Sequence, residues 1–178
     1  GLQNGETIGS VTLTSSGESS DDAAASYSIV PSDATGGTFT ASNYSINYVS
    51  GSLVVNPVSV GGTIAGGATV CSGTNSTELT LSGHTGSVTR WESSLDNFAT
   101  SGTPIANTTE TLTATNLAAT TSYRAVVTSG ACAAANSATA TVTVTPASVA
   151  PTSATASVTT MCGLGSTTLT LTGGGGQG

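Results

Sequence analysis

Apolar residues in this chain fall on alternate positions, over and over, in short runs closed by Gly, Pro, Asn or Ser. No stretch sustains a 3.6-residue period, so the pattern predicts strands rather than helices. Val11 and Leu13 share a face in SVTLTSS, and Tyr27 and Ile29 share one in SYSIVP. In NYSINYVSGSLVVNP, Tyr44, Ile46 and Tyr48 share a face, a Ser-Gly turn follows, and Leu53 and Val55 supply a return strand. That reads as a β-hairpin ending at Pro57. From Val58 onward the alternation continues through Leu79 and Leu81, Trp91, Leu112 and Ala114. It resumes at Tyr123, Ala125 and Val127, and at Ala138, Ala140, Val142 and Val144. In SVTRWESS, strict alternation sets Thr89 and Ser93 on the side of Trp91, and Val88, Arg90 and Glu92 on the other.

Short strands at this spacing predict an all-β chain of tandem β-sandwiches of immunoglobulin or fibronectin III-like kind, preceded by a smaller β unit. The expected boundaries are 1–57 for that unit, 58–146 for a seven-strand sandwich, and 147–178 for the start of a further, incomplete repeat. NLAATTSYRAVV has the form of a tyrosine corner, with Leu117 and Thr121 leading to Tyr123 near the start of a strand. Trp91 falls where a sandwich core tryptophan belongs. The strands of Trp91 and Tyr123 are then neighbours, which brings Arg90, Glu92 and Arg124 together on the outer face.

The chain also repeats. TVCSGTNSTELTLSG (69–83) recurs as TTMCGLGSTTLTLTG (159–173), each after a Pro-bearing joint, NPVSVGG or TPASVAP. A period near one domain length indicates an array. GLQNGET at the start and GGGGQG at the end both read as cut from something longer, an expectation that leaves Cys162, the copy of Cys71, with a partner beyond residue 178.

Composition narrows the function. Charged residues make up 6% of the chain, against about a quarter in ordinary globular domains. Lys is absent, and Arg90 and Arg124 are the only basic residues. The net charge is −7, of which −5 lies in residues 1–57 (Glu6, Glu18, Asp21, Asp22, Asp33). Disorder is disfavoured by a hydrophobic fraction of 37% rich in Val, with abundant Thr beside it. An acidic chain without a basic patch speaks against nucleic acid and anionic membranes as partners. No apolar run reaches the ~18 residues of a membrane span, so direct insertion is not expected.

Two resemblances are specific enough to state. Residues 1–57, above all NYSINYVSGSLVVNP, resemble the MBG repeat of large bacterial surface proteins, without its opening strand. Residues 58–146, with SGHTGSVTRWESS most characteristic, are similar to the immunoglobulin-like repeats of giant surface proteins from gliding bacteria. These include gliding-motility adhesins of the SprB type, exported by a type IX secretion system. The resemblance implies an extracellular, cell-surface location and adhesive or mechanical work. The expected function is a structural stalk or filament segment of a secreted adhesin serving attachment or gliding motility. The alternative is a carbohydrate- or protein-binding accessory module of a large secreted protein or enzyme. Expected partners are neighbouring repeats of the same chain, then other cell-surface or secretion-system proteins or extracellular polysaccharide.

Candidate sites are few. Outside the cell thiols usually pair, so a Cys71–Cys132 disulfide within the second unit is expected, against two free thiols. Glu18, Asp21 and Asp22 in SGESSDD could offer oxygen ligands to calcium, although their spacing does not match an EF-hand and a solvated loop explains them as well. No other cofactor or metal is expected. His84, the only histidine, is expected as an exposed turn residue in LSGHTG. It has no second histidine at metal-ligand spacing, and a hydrolase triad needs a base that one turn histidine does not supply. No enzyme activity is therefore expected. TGGT and GGGGQG carry no Lys and are not phosphate loops. Trp91 and Tyr123 could form a sugar platform but sit at core phases. Asn43, Asn75 and Asn107 each begin an N-glycosylation pattern.

Overall fold

A computed structural model describes residues 1–175. The described residues form strands, with one 3-10 turn among them at Ala41–Asn43. It divides into two compact units: Gly1–Val58 with Ser129–Ala133, and Ser59–Thr128 with the residues from Ala134 onward.

The first unit is a three-stranded antiparallel sheet. Strands β1 (Ile8–Thr14) and β3 (Gly51–Val55) flank β2 (Ala25–Gly37). The long β2 serves both neighbours. Its first half pairs Tyr27 with Leu53, and its second half pairs Leu13 with Pro31 and Ser10 with Thr35. An extra residue on β2 disturbs the register opposite Val11, where Asp33 takes a left-handed φ of 49°. Tyr27, Ile29, Leu53 and Val55 are half-buried as the alternation predicts. The buried Gly17 lies under the Tyr27 ring, which a Cβ there would strike at 2.2 Å.

The expected hairpin of residues 44–55 does not form. Residues 46–50 belong to no strand, and β3 pairs with β2 instead. The alternation of Tyr44, Ile46 and Tyr48 reflects side-chain anchoring rather than a ladder. Tyr44 bonds the Glu6 carboxylate and accepts from the Gln3 N–H, and Tyr48 accepts from Ala34 N–H at 2.8 Å.

The second unit is a β-sandwich. One sheet orders β4 (Thr63–Ala65), β6 (Ser76–Ser82) and β9 (Thr111–Thr115) as β4-β6-β9. The other orders β5 (Thr69–Cys71), β12 (Ala140–Thr145), β10 (Thr121–Thr128), β7 (Ser87–Ser94) and β8 (Thr103–Ile105), with β11 (Ala135–Asn136) also on β10. Counting β4/β5 and β11/β12 as split strands gives seven. The first strand splits at Gly66, whose φ of 101° lets the chain cross from one sheet to the other. A Cβ at Gly66 would lie 2.1 Å from the Glu78 carbonyl oxygen, so only glycine fits the crossing.

Between the sheets lie Leu79, Leu81, Val88, Trp91, Leu112, Ala114, Tyr123, Ala125, Val127, Ala140 and Val142, with Ile64, Val70, Ile105 and Leu117 against them. One phase differs from the sequence expectation. Ala125 pairs with Trp91 and Val127 with Val88, so β7 holds an extra residue at Thr89. The bulge turns Val88 inward beside Trp91, and the Thr89 hydroxyl donates to the Val126 carbonyl at 3.0 Å.

A hairpin, β13 (Ser153–Ala156) and β14 (Leu169–Thr172), follows the sandwich. It pairs Ser153 with Thr172 and Ala154 with Leu171, just as β4 and β6 pair Thr63 with Ser82 and Ile64 with Leu81. Each pair is displaced by 90 positions. Leu79 and Leu81 are 0% and 2% exposed, whereas their copies Leu169 and Leu171 are 77% and 69% exposed. The last three residues of GGGGQG lie outside the described residues.

The same substitution at the two copies should therefore diverge. Leu79→Ala should lower the unfolding free energy of the sandwich by about 2–5 kcal/mol. Leu169→Ala should change it by less than about 0.5 kcal/mol. Urea titration followed by the fluorescence of the single tryptophan reads both; equal losses would contradict the assignment of the core.

Candidate functional site

Chemistry-bearing side chains concentrate on the outer face of the β7–β10 pair and in the loop after β7. Glu92 and Arg124 are register partners across the pair. The Glu92 carboxylate accepts from Arg90 Nε at 2.8 Å on one oxygen and from Arg124 Nε at 2.8 Å on the other. The second nitrogen of each guanidinium closes to 2.7 and 2.8 Å, making both contacts forked. The Glu92 side chain is 8% exposed. Burial alone would raise its pKa, but hydrogen bonds and charge attraction from Arg124 and Arg90 outweigh it, and the pKa is lowered. Both basic residues of the chain are thus committed to one carboxylate. The expected meeting of Arg90, Glu92 and Arg124 is what the structure contains.

Phe98 covers the far side of Arg124, whose guanidinium lies 4.2 Å from the ring centroid. The ring reaches that position because Asn97 and Phe98 adopt left-handed φ values of 54° and 63°. Gly102 leaves room for it, since a Cβ there would come within 2.6 Å of the ring. Ser94 and Asp96 hold the loop. Ser94 Oγ donates to Asp96 at 2.5 Å and accepts from the Phe98 N–H at 2.8 Å, while Asp96 accepts from the N–H and hydroxyl of Thr100. Hydrogen bonds from Ser94 and Thr100 lower the Asp96 pKa.

At the same end of the sandwich, where β7 ends and β10 begins, one amide joins two turns. Asn75 Nδ2 donates to the Cys71 carbonyl at 2.8 Å and to the Leu117 carbonyl at 2.9 Å, and Asn75 Oδ1 accepts from the Leu117 N–H at 2.9 Å. Leu117 is therefore held by its backbone as well as by packing. Asn107 plays a similar part before β9, bonding Thr109 and Thr111. The carbonyl of Thr109 in that turn accepts the Trp91 indole N–H at 2.9 Å. Two of the three glycosylation patterns thus start on asparagines whose amides are engaged. Only the local Asn-x-Thr turn signature hinted at this use.

Trp91 and Tyr123 are buried and form no platform. The Thr121 hydroxyl donates to the Ala119 carbonyl at 2.9 Å, so Thr121 bonds the backbone of the turn before β10. Burial raises the Tyr123 pKa, opposed by the neighbouring Thr121 side chain.

The Cys71–Cys132 disulfide is corrected: Cys71, Cys132 and Cys162 are free. Cys71 lies beside Thr145 at the end of β12. β10, antiparallel to β12, pairs Thr121 with Val142 and runs away from that end to Thr128, a rise of about 23 Å. Cys132 follows in a short turn closed by its N–H on the Ser129 carbonyl, too few residues to retrace the distance. A disulfide requires Cα atoms within about 7 Å.

Glu18, Asp21 and Asp22 lie in the loop between β1 and β2. Asp22 accepts from the Ser19 N–H at 2.8 Å, and among the described residues no group of three His, Cys, Asp or Glu is placed to hold a metal ion. His84 is not an exposed turn residue. Its side chain is 14% exposed because a bridge between Val60 and Thr85 folds the chain over the turn, and its Nε2 lies 3.7 Å from Glu110.

Residues 60–146 match a family described as Domain of unknown function (DUF8696). No curated protein and no solved structure matches the chain.

Two substitutions test the hydrogen-bonded groups. Asn75→Ala removes three bonds and should cost about 2–3 kcal/mol by urea titration. Asn75→Asp should cost no less, because it faces two carbonyls with an acceptor; a neutral result would show that the two turns hold without the amide. Glu92 has a folded pKa below its unfolded value near 4.3, so its contribution is present above that pH and is lost as pH falls through the lower folded value. Glu92→Gln should cost about 2 kcal/mol at neutral pH, allowing for the half-exposed Arg90. It should also flatten the loss of stability as pH falls below the unfolded glutamate value. A variant whose acid profile matches the parent's would place the acid sensitivity elsewhere.

Proposed function

We propose that this chain is a structural stalk segment of a large secreted cell-surface adhesin, serving attachment or gliding motility, and that residues 1–57 form an MBG-like unit within it. The observation that carries the reading is the recurrence of one strand register 90 positions on, in β4–β6 and again in β13–β14. Copies of one sandwich hairpin at domain-length spacing are what a tandem array requires. Composition supports the same reading. Hydroxyl and amide side chains replace charges across the surface, and the two arginines are used internally. A chain of this kind serves as a spacer because each unit supplies its own hydrogen-bond closure. The alternation of sandwich and joint sets reach rather than specificity. Its neighbours in space are then other repeats, and its medium is the outside of the cell.

The test is surface labelling of intact cells that make the protein, with antibody raised against this chain, paired with removal of the segment from the gene. The expected result is labelling without permeabilisation, lost on protease shaving, and weakened attachment or gliding when the segment is deleted. Labelling only after permeabilisation, or unchanged attachment and gliding in the deletion strain, overturns the proposal.

A further inference from the structure

The sandwich is entered at one end and left at the other. β4 pairs Thr63 with Ser82 and Ala65 with Thr80, so it runs toward the Ser76 end of β6. Past the Gly66 crossing, β5 continues in that direction and lies parallel to β12, with Thr69 beside Thr143, Val70 beside Val144 and Cys71 beside Thr145. The chain leaves the sandwich beyond Thr145. Its first and last strands in the larger sheet are therefore direct neighbours, and their outer ends point to opposite poles.

That pairing is closed at both ends. Thr143 N–H donates to the Ala68 carbonyl at 2.8 Å, and Ser72 N–H donates to the Thr145 carbonyl at 2.8 Å. The Thr145 hydroxyl adds a bond to the Val70 carbonyl at 3.3 Å. On the other edge of β12, Val144 N–H donates to Thr120 Oγ1 at 3.0 Å. Beneath, Val70 packs on the core and Val142 is fully buried.

Tension applied to the two ends of the chain drags β5 and β12 past each other along their common axis. The bonds between parallel strands are evenly spaced along that axis, so they share the load and fail together. A hairpin pulled apart from its open end surrenders its bonds one at a time. We propose that the β5–β12 pair is a mechanical clamp that sets the force at which the sandwich unfolds. The use of the clamp rests on the stalk reading; its existence follows from the strand geometry alone, so the two fail separately.

The experiment is single-molecule force spectroscopy on the full chain. Forced unfolding reports the unfolding rate and so responds to the barrier rather than to equilibrium stability. Held by its two ends, the sandwich is recognised by a length gain of about 25–30 nm, from roughly 87 residues at about 3.5 Å each. The second geometry holds the same protein by Cys71 and the C-terminus, with Cys132→Ser and Cys162→Ser leaving a single thiol. Cys71 and Thr145 lie at the same end of the parallel pair, so this geometry peels the pair open. The rupture force is expected to fall at least about twofold, as bonds then break in turn rather than together. Equal forces in the two geometries overturn the clamp without bearing on surface location.

A pair of variants gives an independent reading. Ser72 donates to β12, and by the two-residue period of a strand so does Val70, so Val70→Pro removes a ladder donor. Leu112→Ala weakens the core in β9 without touching the pair. The expected outcome is a reduced end-to-end rupture force for Val70→Pro and a nearly unchanged one for Leu112→Ala, even where Leu112→Ala is the less stable at equilibrium. Equal reductions in force overturn the proposal.

Discussion

The sandwich depends on burying one indole. The chain has a single tryptophan and few other large apolar side chains, so Trp91 must fill the space between two sheets that are otherwise lined by Leu, Val and Ala. Strict alternation along β7 would have left Val88 on the wrong face. The bulge at Thr89 corrects this, and Thr89 answers the disturbed ladder with its own hydroxyl on Val126. The indole N–H, which cannot be left unpaired in a core, is met by the Thr109 carbonyl. That carbonyl is presented by the Asn107 turn. A chain of consequences thus runs from one ring to a bulge on one strand and a turn at the head of another.

Hydrogen bonding through small side chains takes the place of charge throughout the unit. Asn75 ties the turn after β5 to the turn before β10, Ser94 and Asp96 fold the loop after β7, and the Thr121 hydroxyl bonds the Ala119 carbonyl in the turn before β10. Both arginines of the chain are engaged in one ionic group, Arg90–Glu92–Arg124. Such a surface offers little long-range field to a charged partner. Local bonds also lose less in salt than exposed ion pairs would.

How far the sequence carried can be judged element by element. Period-two alternation located β6, β9 and β12 and their buried Leu79, Leu81, Leu112, Ala114, Ala140 and Val142, because each has one face on the core and one toward solvent, although Ala138, placed on the same face, is exposed. In β10 it found Tyr123, Ala125 and Val127 but not the burial of Ser122 and Val126 on the other face. The pairing of β7 with β10 followed from sandwich logic and brought Arg90, Glu92 and Arg124 together as expected. Alternation failed at Tyr44–Tyr48, where the repeated aromatics reach hydrogen-bond partners by their hydroxyls and the backbone forms no ladder. It also failed at Val88, since a bulge leaves no mark in a hydrophobic pattern. The cysteine pairing failed for a different reason. Sequence separation says nothing about which pole of a sandwich a loop occupies, and only the parallel β5–β12 register places Cys71 opposite the turn that carries Cys132.

Leu79 and Leu169 occupy equivalent places in two copies of one strand pair. Both stand on the same hairpin in the same register, yet one is sealed and the other open. The strand register is the same in both copies, whether or not the leucines are covered. Burial comes only when β7, β10 and β12 close over the hairpin with Trp91, Tyr123 and Val142. Local sequence therefore specifies the hairpin, and distant sequence stabilises it. The β5–β12 pairing completes this division. It joins the start of the unit to its end, so the last strand to be added is also the one that ties the first strand down.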